Sequence, residues 1–168
     1  MNIIIRPVKL EDAEGINLLR RMPGIFESTL TIPSQRINID HSKIINLTQN
    51  DYQFVAILQE KDKSELLIGT SSLVIPNNPR LRHSASIMLM VHKDYQNKGV
   101  GTKLLETILD IADNWLMLVR IELGVFFDNL PAIHLYEKCG FKREGIKVKA
   151  AIRNGEYVDE IIMARIKH

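Results

Sequence analysis

Gln96-Asn97-Lys98-Gly99-Val100-Gly101-Thr102 lies between an apolar run that ends at Val91 and an amphipathic one that begins near Gly99. The first reads as a strand and the second as a helix, so the stretch is a strand-to-helix loop with two glycines at its exit. A helix start presents N–H groups with no intrahelical partner and a partial positive charge. Glycines let an anionic group approach that backbone closely. A pyrophosphate is the kind of ligand such a loop holds with little help from side chains, Lys98 and Lys103 adding diffuse positive potential. A tight turn that binds nothing can have the same local sequence, and Gly-x-Gly alone leaves the two readings about even. Two nucleotide signatures are excluded. The Gly-Lys-Ser/Thr of a P-loop is missing, and Leu104 stands where the dinucleotide fingerprint needs its third glycine.

Outward from the loop, Ser84–His92 reads as the strand before it and Gly99 to Met117 as one long helix. Leu104, Leu105, Ile108, Ile111, Ala112 and Trp115 mark the buried stripe of that helix, with Trp115 as core. Upstream lie a short first strand over residues 2–6 and a helix from Asp12 to Met22 on Ala13, Ile16, Leu19 and Met22. A loop follows from Pro23 to Pro33, then a second helix between Ser34 and Thr48. Gln53–Leu58 and Leu66–Ile75 read as strands joined by a turn at Lys61-Asp62-Lys63-Ser64, and Pro76-Asn77-Asn78-Pro79 as the next connection. Downstream, Ile121–Phe127 is a β-branched and aromatic strand and Pro131–Lys138 a short helix with proline in its first turn. Phe141–Ile152 and Tyr157–Ile166 pair around Asn154-Gly155, a favoured two-residue hairpin turn. The mixture predicts an α/β (α+β) fold on a single sheet.

The bulk properties bound the function. A chain of 168 residues fits one domain, 1–168, with no repeat or linker to divide it. Its net charge is +2 and it has no basic tail, so a nucleic-acid surface has no support. One cysteine, Cys139, cannot form an intramolecular disulfide and suits a reducing compartment. The N-terminus carries no secretory signal, and no apolar run approaches the roughly 18 residues of a membrane span. A soluble, cytoplasmic protein is expected. The five histidines show no metal-ligand spacing, and no metal is expected.

A second constellation, Asn129-Leu130-Pro131-Ala132-Ile133-His134-Leu135-Tyr136-Glu137-Lys138-Cys139-Gly140-Phe141, surrounds the short helix. Asn129 is placed to cap it and Gly140 to end it, while Ala132 and Tyr136, four apart, share a face. Each also has a purely structural reading, as cap, packing and cap.

Together, in this order and spacing, the two constellations resemble the GNAT superfamily of N-acetyltransferases. Val91-x4-Gln96-x2-Gly99-x-Gly101 is similar to its acetyl-CoA motif, and Asn129-x2-Ala132-x3-Tyr136-x3-Gly140-Phe141 to its second motif. The resemblance runs from Ile5-Arg6-Pro7 to Met163-Ala164-Arg165. It is closest in Asp113-Asn114-Trp115-Leu116 and in Ile152 through Asp159, where it is similar to bacterial enzymes that acetylate the α-amine of free amino acids.

The resemblance implies a mixed, mostly antiparallel sheet of about seven strands flanked by about four helices, with acetyl-CoA as cosubstrate and a small-molecule amine as acceptor. It assigns Leu89, Met90 and Val91 to the pantetheine arm, and the amides of Gln96, Asn97, Lys98, Gly99, Val100, Gly101 and Thr102 to the pyrophosphate. Asn129 would hydrogen-bond the cofactor arm and Tyr136 would sit beside the thioester sulfur. By region only, it offers Phe26, Glu27, Thr29 and Leu30 to the acceptor, and it leaves a homodimer open. A tyrosine near pKa 10 is a weaker acid than a thiol near 8.5 by roughly 2 kcal/mol, so Tyr136 would act as much by hydrogen-bonding the developing thiolate as by protonating it.

One position departs from the pattern. Many relatives carry an acidic base on the strand before the loop, where this chain has Ser86. His83 and His92, at the ends of that strand, and a water chain ending on backbone carbonyls are the candidate substitutes. Deprotonating a lysine-type amine at pH 7 costs roughly 4.6 kcal/mol against about 1 for a peptide α-amine, so an α-amine is the easier acceptor without a base. That holds for a protein N-terminus no less than for a free amino acid, whose own carboxylate raises its amine pKa. Acetylation of a protein N-terminus or a polyamine, and a non-catalytic acyl-CoA-binding module, are the alternatives.

Overall fold

The computed structural model describes residues 2–59 and 64–167, which form seven strands and four α-helices. They run β1 (Asn2–Pro7), α1 (Ala13–Arg20), α2 (Ile37–Ile45), β2 (Asp51–Gln59), β3 (Glu65–Val74), β4 (Ser84–Val91), α3 (Val100–Asp110), β5 (Arg120–Phe126), α4 (Leu130–Lys138), β6 (Lys142–Arg153) and β7 (Glu156–Ile166). One sheet contains all the strands, in the order β1-β2-β3-β4-β5-β7-β6. Every pairing is antiparallel except that of β4 with β5. The architecture is the one the sequence implied, and its strand and helix cores fall where they are expected. The turn read at Lys61-Asp62-Lys63 lies outside the described residues. Among the described residues no helix is long and apolar enough to cross a membrane.

Alternation along the strands sorts the side chains into two layers. Ile87 of β4 and Leu123 and Val125 of β5 pack with Leu105 and Ile108 of α3 and Ile133 and Tyr136 of α4. On the opposite face Met88 and Met90 of β4 meet Leu19 of α1 and Ile25 of the loop that follows. Asn154 and Gly155 both take positive φ, 52° and 82°, as the two-residue turn between β6 and β7 requires.

The long helix is shorter than its apolar stripe suggests. α-Helical geometry stops at Asp110, and Ile111–Trp115 forms a π-helical turn in which the Leu116 N–H donates to Ile111 O at 3.0 Å. One extra residue in the turn rotates everything after it by about 100°. Ala112 stays fully buried, but Trp115 is swung outward and is 75% exposed, not core.

Candidate active site

β4 and β5 are bonded only at their beginnings. Ser84, Ala85 and Ser86 pair with Arg120, Ile121 and Glu122, and no pairing follows. Beyond Ser86 the strands part, and the backbone of β4 on that side is left for something other than the sheet. The opening is a cavity of about 430 Å³ that passes between the strands from the α3–α4 face to the α1–α2 face. Leu89, Met90 and Val91 line it from β4, and Gly124, Val125 and Phe126 from β5.

The glycine loop forms one mouth. Asn97 and Gly99 both have positive φ, 57° and 82°, so successive amides turn toward a common side. Gly99 is the N-cap of α3, and the N–H groups of Val100, Gly101 and Thr102 begin the helix without intrahelical acceptors. Gln96 Nε2 donates to the Val91 carbonyl at 3.1 Å and ties the loop to the end of β4. Gln96, Asn97, Gly99, Gly101 and Thr102 line the cavity. The side chains of Lys98 and Val100 do not: the Lys98 ammonium stands 5.3 Å over the Tyr95 ring, and Val100 is buried against β2 and β3. At residue 101 a Cβ would come within 3.1 Å of Leu135 Cδ2, so glycine here allows close approach of α3 and α4.

α4 supplies the other wall. Asn129 Oδ1 accepts the Ala132 N–H at 3.4 Å, capping the helix, and Asn129, Ala132 and Tyr136 all line the cavity. Tyr136 is 7% exposed, its ring edge-on to Phe141 at 5.8 Å. Burial pushes the phenol up to about 12. It is therefore a hydrogen-bond donor throughout the working pH range. Full transfer of its proton to a thiolate of ordinary pKa runs uphill by roughly 5 kcal/mol, more than the sequence alone implied.

The mouth on the α1–α2 face is polar. Thr29 and Leu30 line it with Ser28 and Thr31, but Phe26 and Glu27 do not. The Glu27 carboxylate instead accepts the Gly24 N–H, and its carbonyl accepts from Arg153. Arg20 of α1 and Lys43 of α2 also line this end. Arg20 is nearly buried, with Nε 3.0 Å from Asp40 Oδ1 but off the line of a hydrogen bond, so that nitrogen has no hydrogen-bonding partner among the described residues. Asp40 is held separately by Asn17 Nδ2 at 2.8 Å and Gln35 Nε2 at 3.1 Å. Burial pulls the Arg20 guanidinium down from its ordinary value against the pull of Asp40. Burial, then Arg20, pulls the Lys43 ammonium down likewise. Asp40 is paired with Arg20, and Lys43 adds a second positive charge to the same end of the cavity.

The other charged side chain lining the cavity is Glu160 of β7. Neither it, Arg20 nor Lys43 is marked by any motif. The one signal for Glu160 is an acidic residue entering the apolar run Ile161-Ile162-Met163, but only strand register decides which face such a residue takes. Ser86, His83 and His92 are outside the cavity wall. His92 Nδ1 accepts the Asp94 N–H at 3.2 Å, and the His83 carbonyl accepts that of Val119 at 2.9 Å. Cys139 ends α4 away from the cavity, and burial pushes its thiol up, as a structural cysteine requires.

Residues 19–141 match the model of the acetyltransferase (GNAT) family. The chain is 34% identical over 165 residues to the L-amino acid N-acetyltransferase AaaT of Escherichia coli, covering 98% of each. It is 25% identical over 167 residues to the spermidine N(1)-acetyltransferase of the same organism, covering 99% of this chain and 87% of that one. Its fold superposes on the crystal structure of spermidine N-acetyltransferase from Vibrio cholerae in complex with CoA and spermine with a TM-score of 0.81. That match is at 27% identity over 98% of this chain and 95% of the other.

Proposed function

The chain belongs to the GNAT family and is an acetyl-CoA-dependent N-acetyltransferase, and from that premise we propose that its acceptor is the α-amine of a free amino acid. The observation that carries this reading is the charge at the acceptor end of the cavity. Asp40 is the paired counter-ion of Arg20 alone, and Lys43 makes no ion pair among the described residues, which leaves one positive charge to be matched by a ligand. An amino acid brings a carboxylate that does so, and a guanidinium binds it through two parallel hydrogen bonds. A polyamine brings further positive charges to the same place, where like charges in a partly buried site repel. The scattered carboxylates Asp12, Asp40 and Glu27 form no polyamine site, being occupied elsewhere: Asp12 by Arg6 at 2.7 Å, Asp40 by Arg20, and Glu27 by the Gly24 amide.

Acetyl-CoA supplies an activated acyl carbon on a thiol leaving group. The residues of the chain bind and orient around it. The amides of residues 96–102 hold the pyrophosphate at the start of α3, helped by the helix dipole. The open edge of Leu89, Met90 and Val91 pairs with the amide-bearing arm as an added strand would, with Asn129 facing it across the gap. Tyr136 donates its phenolic hydrogen bond to the sulfur as negative charge develops there, and its burial keeps that proton in place at rest. The lone Cys139, without a partner thiol, suits the reducing cytoplasm.

Release of free CoA thiol across a panel of amino acids, spermidine, spermine and short peptides tests the assignment. Amino acids are expected to exceed polyamines and peptides in kcat/KM by at least about tenfold, the worth of one charge-assisted hydrogen bond. Faster turnover of spermidine or of a peptide N-terminus would overturn it.

A further inference from the structure

We propose that Glu160 is the carboxylate that receives the acceptor's ammonium group and takes its proton, in place of an acidic residue on β4. The inference rests on the amine-acetylation reading above and adds the residue that prepares the nucleophile.

Four observations meet at this side chain. Glu160 pairs across from Phe126 of β5, which places it on the α1–α2 face, where the acceptor end of the cavity opens. It crosses over the backbone of Gly124 because that residue has no side chain. A Cβ at 124 would collide with Glu160 Oε1 and stand within 2.5 Å of Cδ. Gly124 has no positive φ, so what a side chain here would meet is the Glu160 carboxylate lying over it, and a Cβ would push that flexible end aside. Glu160 and Tyr136 line the same cavity, one from the sheet and one from α4. And among the described residues lining that cavity Glu160 is the single carboxylate, while Ser86 and both nearby histidines stand outside it.

The charges around Glu160 leave it free to act. Lys147 of β6 approaches one oxygen at 3.3 Å, but that lysine is 63% exposed, and an exposed ion pair of this kind is weak enough to be exchanged for the ammonium of a ligand. Arg20 and Lys43 line the cavity from α1 and α2. The acceptor end therefore has both signs, as a zwitterion does. In the step, the ammonium gives one proton to the Glu160 carboxylate, and the freed lone pair forms the new bond to the acyl carbon. The bond from that carbon to sulfur breaks, its electron pair leaves on sulfur, and the remaining ammonium-type proton of the new amide is lost to neutralise it. The first proton passes from Glu160 to solvent.

The test is Glu160→Gln, which keeps shape and removes charge. Titration calorimetry with an amino acid, without acetyl-CoA, is expected to show affinity weakened about tenfold, with CoA affinity unchanged. At pH 7 kcat/KM for that amino acid falls about 100-fold, and the deficit shrinks to a few-fold near pH 10, where the amine is already neutral. Gly124→Ala should reproduce the defect in the wild-type background and add less than about twofold to Glu160→Gln, since both displace one group. Glu160→Gln equal to wild type, on an amino acid that wild type acetylates, would overturn the role of Glu160 and leave the acceptor assignment standing. Wild-type protein that binds no amino acid would overturn that assignment and this proposal with it.

Discussion

Ser86 is the last residue of β4 to pair with β5, and its partner is Glu122. Past these two the parallel pair of strands β4 and β5 divides, while β4 keeps its antiparallel bonds to β3 from Val74↔Ser86 to Gly69↔Val91. One edge of β4 is thus satisfied within the fold and the other is open, and the cavity lies along the open edge. The serine in place of an acidic residue stands at the closed end of the fork, outside the cavity.

Tyr136→Phe removes one hydroxyl from a buried ring. We expect kcat to fall at least about tenfold while the dissociation constant of CoA hardly changes, because the phenol meets the sulfur strongly only as charge develops. Stopped-time thiol release and CoA calorimetry measure the two quantities. Unchanged turnover would remove the phenol from the reaction.

Gly99→Ala tests the loop. Nothing lies within 4 Å of a Cβ built at 99, so sterics with neighbours are not the obstacle, whereas φ of +82° is. The strain costs about 1 kcal/mol, equal to a fall in melting temperature of roughly 2–4 °C. KM for acetyl-CoA rises several-fold as the amides lose their common aim, and KM for the acceptor does not.

Lys43→Gln removes the less buried of the two cations at the acceptor end. The expected result is a roughly tenfold higher KM for an amino acid, the worth of a single hydrogen bond to a charged group, and no fall in melting temperature. The folded state already disfavours the Lys43 charge, as its lowered pKa records. Arg20→Gln should raise the same KM and also lower the melting temperature, because Asp40 is then buried without a cation. Substrate titrations and thermal melts of the two variants separate these effects.

Asp113 in the π-helical turn receives both terminal nitrogens of Arg165, at 2.8 and 2.7 Å, and so ties the end of α3 to β7. Arg165, through these hydrogen bonds, holds the Asp113 carboxyl below its usual 3.8. A depressed carboxylate stabilises the fold above its unfolded pKa, and that contribution is lost as pH falls through the folded value. Asp113→Asn should therefore lower the melting temperature at pH 7, by about 1–2 kcal/mol of stability, with the gap to wild type closing below about pH 4. Calorimetric melts at pH 7, 4 and 3 measure it.

Much of this is legible in the sequence because it is local. The Asn154-Gly155 turn, the loop from Gln96 to Thr102 and the Asn129 cap are each set by residues within a few positions of one another, and the structure has them where they are expected. Trp115 departs from its expected place because an α-helical stripe assumes constant phase, and a single inserted π-turn residue breaks it. Phe26 and Glu27 follow from region alone. Their loop does reach the acceptor end, but through Ser28, Thr29 and Thr31, with Glu27 turned back on its own backbone.

Short-range spacing and hydrophobic period were enough to specify the order of strands and helices and the glycine loop between β4 and α3, and the two motifs together resemble the family to which the chain belongs. Which charges meet in the cavity is settled by the packed fold. Arg20, Lys43, Tyr136 and Glu160 come from four different elements, α1, α2, α4 and β7. They converge because the sheet order sets β5 beside β7, the register sets Glu160 beside Phe126, and the missing Cβ at Gly124 leaves room for a carboxylate to cross. Such long-range coincidences depend on pairings between residues far apart in the chain, and no local pattern encodes them.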